Sequence, residues 1–433
     1  MREPCRGAQH RHTLWTVLIY LAGAGGLEPA VSRSLLDLER ARAEGLDVVV
    51  QLARAPQGLA RDPGGRPANS AFGGKWTGAR RYLLRATVGV VRKGRAVATS
   101  GRWTLVAERP DVNMADPHTL YDFVRWGLER ASSPYRMVIL SGHGVGILGA
   151  LTDFANGAVW VMGVNGLARA LSLAQAHAGK AIDVLVLDAC YMNSLEVAYE
   201  LAASDPPAAR HLVVPAEISS LEGWPYRKIL ESLGQRQGSG AAGGCNYGPG
   251  PVPEERLGEG RTARGSAAVS TLIRCIGSAC EYPPVAIKLD GNFFGLIKAA
   301  AHGLAQCLLA QGTPAAGRAL SSLHALLRHG DRSHPCFGAL RRLQEAAAEV
   351  IITGCEPEPN DRHRYLTVFV PTYPAEYREW SPYYETLQFA RDNAWVRLLG
   401  GPLGSEEVSA YPGDLLPGPI PMPGHILVSS ARL

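Results

Sequence analysis

The chain has 433 residues, 46% of them apolar and 19% charged, which suits a globular protein longer than one ordinary domain with a sizeable core. The net charge is +5, but Lys and Arg are scattered among Asp and Glu and no basic run is interleaved with aromatics, so nucleic acid is excluded as a partner. Eight irregularly spaced cysteines are too few for a disulfide scaffold. With no CxxC pair they read as unrelated free thiols, the alternative being a metal or disulfide site made by Cys245, Cys275 and Cys280.

In chain order, Arg2, Arg6, Arg11 and His12 precede an apolar run over residues 14–22. The run predicts a first strand ending at Gly23, and a cytoplasmic protein. Its alternative is a signal peptide, which would make the chain secreted. No stretch approaches the length of a membrane span. Val31, Leu35, Leu36 and Leu38 have a helix period within residues 28–43, and residues 47–52 follow as a second strand. Residues 55–75 read as a loop, and residues 76–91 and 96–104 as a hairpin around Lys93-Gly94. A helix is predicted over 117–131, with Asp116 as its N-cap and Pro117 in its first turn.

Two short apolar runs then stand out, each β-branched and bounded by turn residues. Residues 137–140 break into Ser141-Gly142-His143-Gly144, and residues 182–187 into Asp188-Ala189-Cys190. Such runs mark strands buried on both faces. A helix over 164–176 between them predicts a crossover and a parallel pair. Asn193 and Glu196 have the spacing of a capping box before a helix over 194–203. Further strands are expected at 211–215, 285–289 and 365–370, and helices at 292–309, 337–352 and 383–399. The alternation predicts an α/β sandwich with a mainly parallel sheet.

Parallel strands end on one edge, where open α/β sheets keep their ligands. His143 and Cys190 would face each other there. A thiolate attacks a carbonyl far better than a thiol, and an imidazole can activate the sulfur and then protonate a departing amine. The N–H groups of Gly144 and Cys190 are candidates to bind the oxyanion. His143 precedes Cys190 by 47 residues, near the offset of about 50 in caspases, though Asp-Ala-Cys replaces their Gln-Ala-Cys. Gly144 to Gly149 also fits GxGxxG, but no acidic residue lies between Asp153 and Asp183 to hold a ribose, which disfavours a dinucleotide site.

These residues resemble the clostripain family of cysteine peptidases, relatives of caspases, gingipains and legumain. The resemblance runs through residues 15–20, Asn113-Met114-Ala115-Asp116-Pro117, Ser141-Gly142-His143-Gly144, residues 187–192 with Glu196, and Gly223-Trp224-Pro225-Tyr226, then the late strand and the last helix. It implies a caspase-like three-layer sandwich and an endopeptidase cutting after Arg or Lys in protein or peptide substrates. His143 and Cys190 would form its dyad and Asp188 would stand in the pocket for the basic side chain, where a carboxylate can pair with a guanidinium. The competing role for Asp188 is a loop cap. Glu217 and Glu222 are candidates for a second pocket carboxylate. Where the family has Asp-Asn after the first strand, this chain has Ala22-Gly23-Ala24. No metal or other cofactor is expected, and a monomer is.

The organisation expected is an N-terminal extension (1–12), a catalytic core (13–233), a Gly/Pro-rich mobile insert (234–284), a part completing the peptidase domain (285–400) and a Pro-rich tail (401–433). Residues 137–168 contain no Lys or Arg, so self-cleavage is expected in the insert, at Arg236, Arg256, Arg261, Arg264 or Arg274. The competing class is a weak or inactive caspase-like binding or scaffold protein.

Overall fold

The computed structural model describes residues 14–24, 27–41, 45–54, 72–74, 76–85, 91–92, 95–96, 102–155, 158–219, 223–234, 268–270, 284–311, 316–352, 365–372, 374–400, 415–422 and 430–432. Strand β1 (Trp15–Ala22) is buried along its whole length, as a run apolar at every position but Thr16 requires. Its residues part alternately into two cores. Leu18, Tyr20 and Ala22 enter the larger, and Trp15, Val17, Ile19 and Leu21 the smaller.

Helix α1 (Glu28–Arg40) leads to β2 (Leu46–Arg54), parallel to β1. Strands β3 (Gly78–Arg85) and β6 (Arg102–Arg109) pair antiparallel beyond it. Between them, β4 (Val91–Arg92) and β5 (Arg95–Ala96) flank Lys93-Gly94, as the expected hairpin requires. Helix α2 (Pro117–Arg130) starts at Asp116, whose carboxylate accepts the His118 N–H. Strand β7 (Tyr135–Ser141) lies parallel to β1 on its other side. The hairpin β8 (Gly149–Ala155) and β9 (Ala158–Gly163) then leaves the main sheet, and α3 (Val164–Ala178) crosses over to β10 (Val184–Asp188), parallel to β7. After α4 (Leu195–Ala203) come β11 (His211–Pro215), parallel to β10, and α5 (Tyr226–Gly234).

Strand β12 (Pro284–Lys288) runs antiparallel to β11. The eight-stranded order is β12-β11-β10-β7-β1-β2-β3-β6, in which the five strands from β11 to β2 are parallel, with β12 antiparallel on one side and β3 and β6 joined antiparallel on the other. Helices α1 and α5 cover one face, and α2, α3, α4 and the C-terminal helices the other, giving three layers. The C-terminal part contains α6 (Gly291–Ala310), α7 (Ala316–His329), α8 (Phe337–Val350), β13 (Thr367–Phe369), α9 (Pro374–Tyr384), α10 (Gln388–Asp392), α11 (Trp395–Leu399), β14 (Ile420–Pro421) and β15 (Ser430–Arg432).

Several local expectations change. The helix expected at 383–399 is three pieces, α9 to α11. Leu387 is extended between α9 and α10, as is Asn393 after α10, where its side chain turns back to the Phe389 carbonyl. Strand β13 stays out of the main sheet and pairs antiparallel with β15. Helix α4 is capped by Ser194, whose hydroxyl accepts the Val197 N–H, so the cap sits one residue later than the Asn193–Glu196 spacing suggested. Cys307 and Cys336 form a disulfide joining α6 to the start of α8, where free thiols were expected. Helix α6, at 20 residues with a mean hydropathy of 1.4, is long and apolar enough to cross a membrane. Its Phe294, Ile297, Ala301, Leu304 and Leu308 nevertheless form one buried stripe within the larger core. The N-terminal extension, Cys245, Cys275, Cys280, Glu222 and nearly all of the insert lie outside the described residues.

Candidate active site

The two apolar runs fix the site by their register. Leu140 pairs with Leu187 and Ser141 with Asp188, so β7 and β10 end level. His143 and Cys190 each stand two residues beyond a matched pair. The Gly142 N–H donates to the Asp188 carbonyl at 3.3 Å, which ties the two departing loops together.

The loops then touch at Gly144. A Cβ placed there would lie 1.9 Å from the Cys190 carbonyl oxygen and 2.8 Å from its nitrogen, so only glycine admits this approach. Gly144 faces Ala150 across an isolated antiparallel bridge. The bonds of that bridge are Leu151 N–H to the His143 carbonyl and Val145 N–H to the Gly149 carbonyl, both 2.8 Å. The ladder therefore leaves the Gly144 N–H unused. Leu151, fully buried, holds the His143 loop from a positive φ of 61°. The Gly144–Gly149 stretch forms a single 3₁₀ turn and then β8, with no helix opening on it for a phosphate.

Cys190 is partly buried, and its sulfur accepts the Ser219 N–H at 3.3 Å. Burial pushes the thiol above its ordinary value, the Ser219 N–H pulls it back, and the nearby Asp188 charge pushes it up again. Tyr191, which follows, has φ of 60° and donates its N–H to the Glu217 carbonyl at 2.6 Å.

Asp188 is 5% exposed, and hydroxyls of Ser141, Ser219 and Tyr226 all donate to its carboxylate. Burial raises its pKa against the pull of these donors and of the Trp224 N–H. Among the described residues no cationic side chain reaches it. Glu217 is partly buried, and its carboxylate accepts the Tyr365 hydroxyl at 2.7 Å.

Sequence reasoning assigned no site role to Ser141, Ser219, Tyr226 or Asn193. Asn193 donates to the carbonyls of Ala216 and Tyr365, and its own carbonyl accepts the Thr367 N–H, so it joins the loops after β10 and β11 to β13. Its sequence signals were the capping-box spacing with Glu196 and a polar residue in the apolar stretch around α4, neither of which points to this role. Tyr226 lies in the Gly-Trp-Pro-Tyr segment, which had no assigned task.

The clostripain-family model matches residues 93–247, the span that holds His143, Asp188, Cys190 and Glu217. Over this span the chain matches the clostripain family. No curated protein matches the chain. Among solved structures, it is similar to an inactive zymogen C11 protease from Parabacteroides distasonis, with 17% identity and a TM-score of 0.53 over 87% of this chain and 97% of that one. A secreted C11 cysteine protease from Bacteroides thetaiotaomicron matches at 12% identity and a TM-score of 0.51, covering 88% and 99%. These two likenesses bear on the fold alone, a mixed α/β structure around a large central sheet.

Proposed function

We propose that this clostripain-family peptidase is an endopeptidase cutting after Arg or Lys, with Cys190 as nucleophile and His143 as general acid and base. The observation carrying this reading is the level ending of β7 and β10, with Gly144 pressed on the Cys190 backbone and its N–H left unused. In this scheme His143 takes the thiol proton and the sulfur bonds to the scissile carbonyl carbon. The Gly144 and Cys190 N–H groups hold the resulting oxyanion. His143 passes its proton to the leaving amine as the C–N bond breaks. A water, deprotonated by the same imidazole, then releases the acyl group and regenerates the thiol.

Asp188 supports the basic preference, because it is a buried carboxylate held by hydroxyls and a backbone N–H, with no cationic side chain reaching it among the described residues. A guanidinium supplies what it lacks. Glu217 and Glu222 are secondary candidates for the same pocket. The Cys307–Cys336 disulfide favours an oxidising compartment, and hence the secreted alternative over the cytoplasmic one. A second reading, a latent or inactive caspase-like binding protein, is favoured by the close cover over Asp188 and the raised Cys190 thiol.

Fluorogenic Arg-amide and Asp-amide substrates, with and without a thiol alkylator, separate the two. The endopeptidase reading expects alkylator-sensitive release from the Arg substrate that disappears in Cys190→Ala and His143→Ala. Turnover persisting in Cys190→Ala would overturn the dyad.

A further inference from the structure

Ser219 makes two bonds that bridge both candidate elements of the site. Its hydroxyl donates to Asp188 Oδ1, and its N–H donates to the Cys190 sulfur at 3.3 Å. The loop carrying it is pinned two residues earlier. There the Glu217 carbonyl accepts the Tyr191 N–H and the Glu217 carboxylate accepts the Tyr365 hydroxyl. The other two hydroxyl donors to Asp188 stand on regular elements, Ser141 on β7 and Tyr226 on α5. Ser219 alone belongs to a loop, so its hydroxyl bond decides where its N–H points.

We infer that Ser219 is a positioning residue for the nucleophile: the Asp188 carboxylate anchors its hydroxyl, and the anchored backbone N–H then holds the Cys190 sulfur. The inference rests on Cys190 as the nucleophile, yet its test reads the sulfur directly and needs no peptidase turnover. The N–H donor favours the anion, as any hydrogen bond to a charged form does. The Asp188 charge opposes the same anion. One carboxylate therefore acts on the thiol in two opposed ways, through space against ionisation and through Ser219 in favour of it. Among the described residues, the other charged or titratable groups on elements around the sulfur are His143 after β7, Tyr191 beside it and Glu217 after β11.

Removing the hydroxyl unhooks the loop without touching the sulfur. Loss of one bond to a charged group moves a pKa by about one unit. Thiolate nucleophilicity rises with basicity, with a Brønsted slope of about 0.4–0.5, so a tenfold loss of thiolate is partly offset. Alkylation of Ser219→Ala should therefore be about threefold slower near pH 7 and about threefold faster on the high-pH plateau, the two profiles crossing. Ser219→Thr keeps the hydroxyl and should restore the wild-type profile. Asp188→Asn keeps an acceptor for Ser219 but loses the charge, so its inflection should move down.

The experiment is the rate of iodoacetamide labelling of full-length protein from pH 5 to 11.5, followed by mass spectrometry on the Cys190 peptide. Crossing profiles with rescue by threonine support the anchor. Superimposable wild-type and Ser219→Ala profiles overturn it, as does a uniform drop at every pH or a failure of threonine to rescue. The nucleophile assignment fails separately, by turnover in Cys190→Ala.

Discussion

The contact between Gly144 and Cys190 gives the sharpest test of the site, through Gly144→Ala. The added methyl would sit 1.9 Å from the Cys190 carbonyl oxygen, 2.8 Å from its nitrogen and 2.9 Å from its carbonyl carbon. All three are backbone atoms, so no side chain can swing away. Ordinary van der Waals contact begins at 3.4 Å, and 3.4 less 1.9 leaves 1.5 Å by which the two loops must part. The φ of Gly144 is not positive, so alanine meets no backbone strain of its own and the effect is one of separation alone. A misplacement of about 1 Å can cost roughly 10²-fold in rate, and loss of one oxyanion donor roughly 10²–10³-fold. We expect kcat/KM on an Arg-amide to fall by about 10²–10³, mostly in kcat, because the oxyanion forms only on the way to product. The strands behind the loops are untouched, so circular dichroism and thermal midpoint should stay near wild type. A variant that is folded and keeps more than about a third of wild-type kcat/KM would refute the argument.

Asp188→Asn should lower kcat/KM on Arg substrates by on the order of 10², as loss of a buried charge partner does, while sparing a neutral substrate; equal losses on both would remove Asp188 from the pocket. Glu196 and Glu200 on α4 accept the Phe369 and Phe389 N–H groups, and burial raises each acid from 4.5 to about 7. A raised acid contributes its stability fully below pH 4.5 and loses it as pH rises through about 7. The gap is worth roughly 3 kcal/mol for each, so the wild type should melt lower at pH 8 than at pH 5 and a Glu196→Gln/Glu200→Gln double variant should flatten that slope; an unchanged slope refutes it. Self-processing should cut within residues 234–284 in the wild type and not in Cys190→Ala, read by N-terminal sequencing; cuts persisting in the inactive variant count against it.

What was legible in the sequence tracks how local its physics is. Strands β1, β7 and β10 are short continuous apolar runs whose burial on both faces is written in every residue, and the parallel pairing of β7 and β10 followed from the crossover between them, though its register did not. Asp116 was legible as a cap because its chemistry involves only the next two residues. The partner of a strand is not local. Nothing within 365–370 says that β13 pairs with residues 430–432 instead of joining the main sheet. The glycines at 144, 146 and 149 hid the β8–β9 hairpin, since they read as loop while serving close approach and positive φ. The cover over Asp188 was invisible for the same reason: Ser141, Ser219 and Tyr226 come from three separate stretches, and only the folded register brings them together. Cys307 and Cys336 likewise carry no spacing signal, being 29 residues apart on two helices.

Strand β12 gives the main sheet a seam. It is contributed by chain beyond residue 283, yet it closes the edge of β11 through an antiparallel ladder of five residue pairs. Made as two separate polypeptides divided within 234–284, the molecule becomes a complementation pair in which one half owns the β11 edge and the other the staple that covers it. An uncovered sheet edge pairs with whatever strand it meets. The first half made alone is therefore the one that should aggregate, and co-expression with the second half is what should keep it soluble.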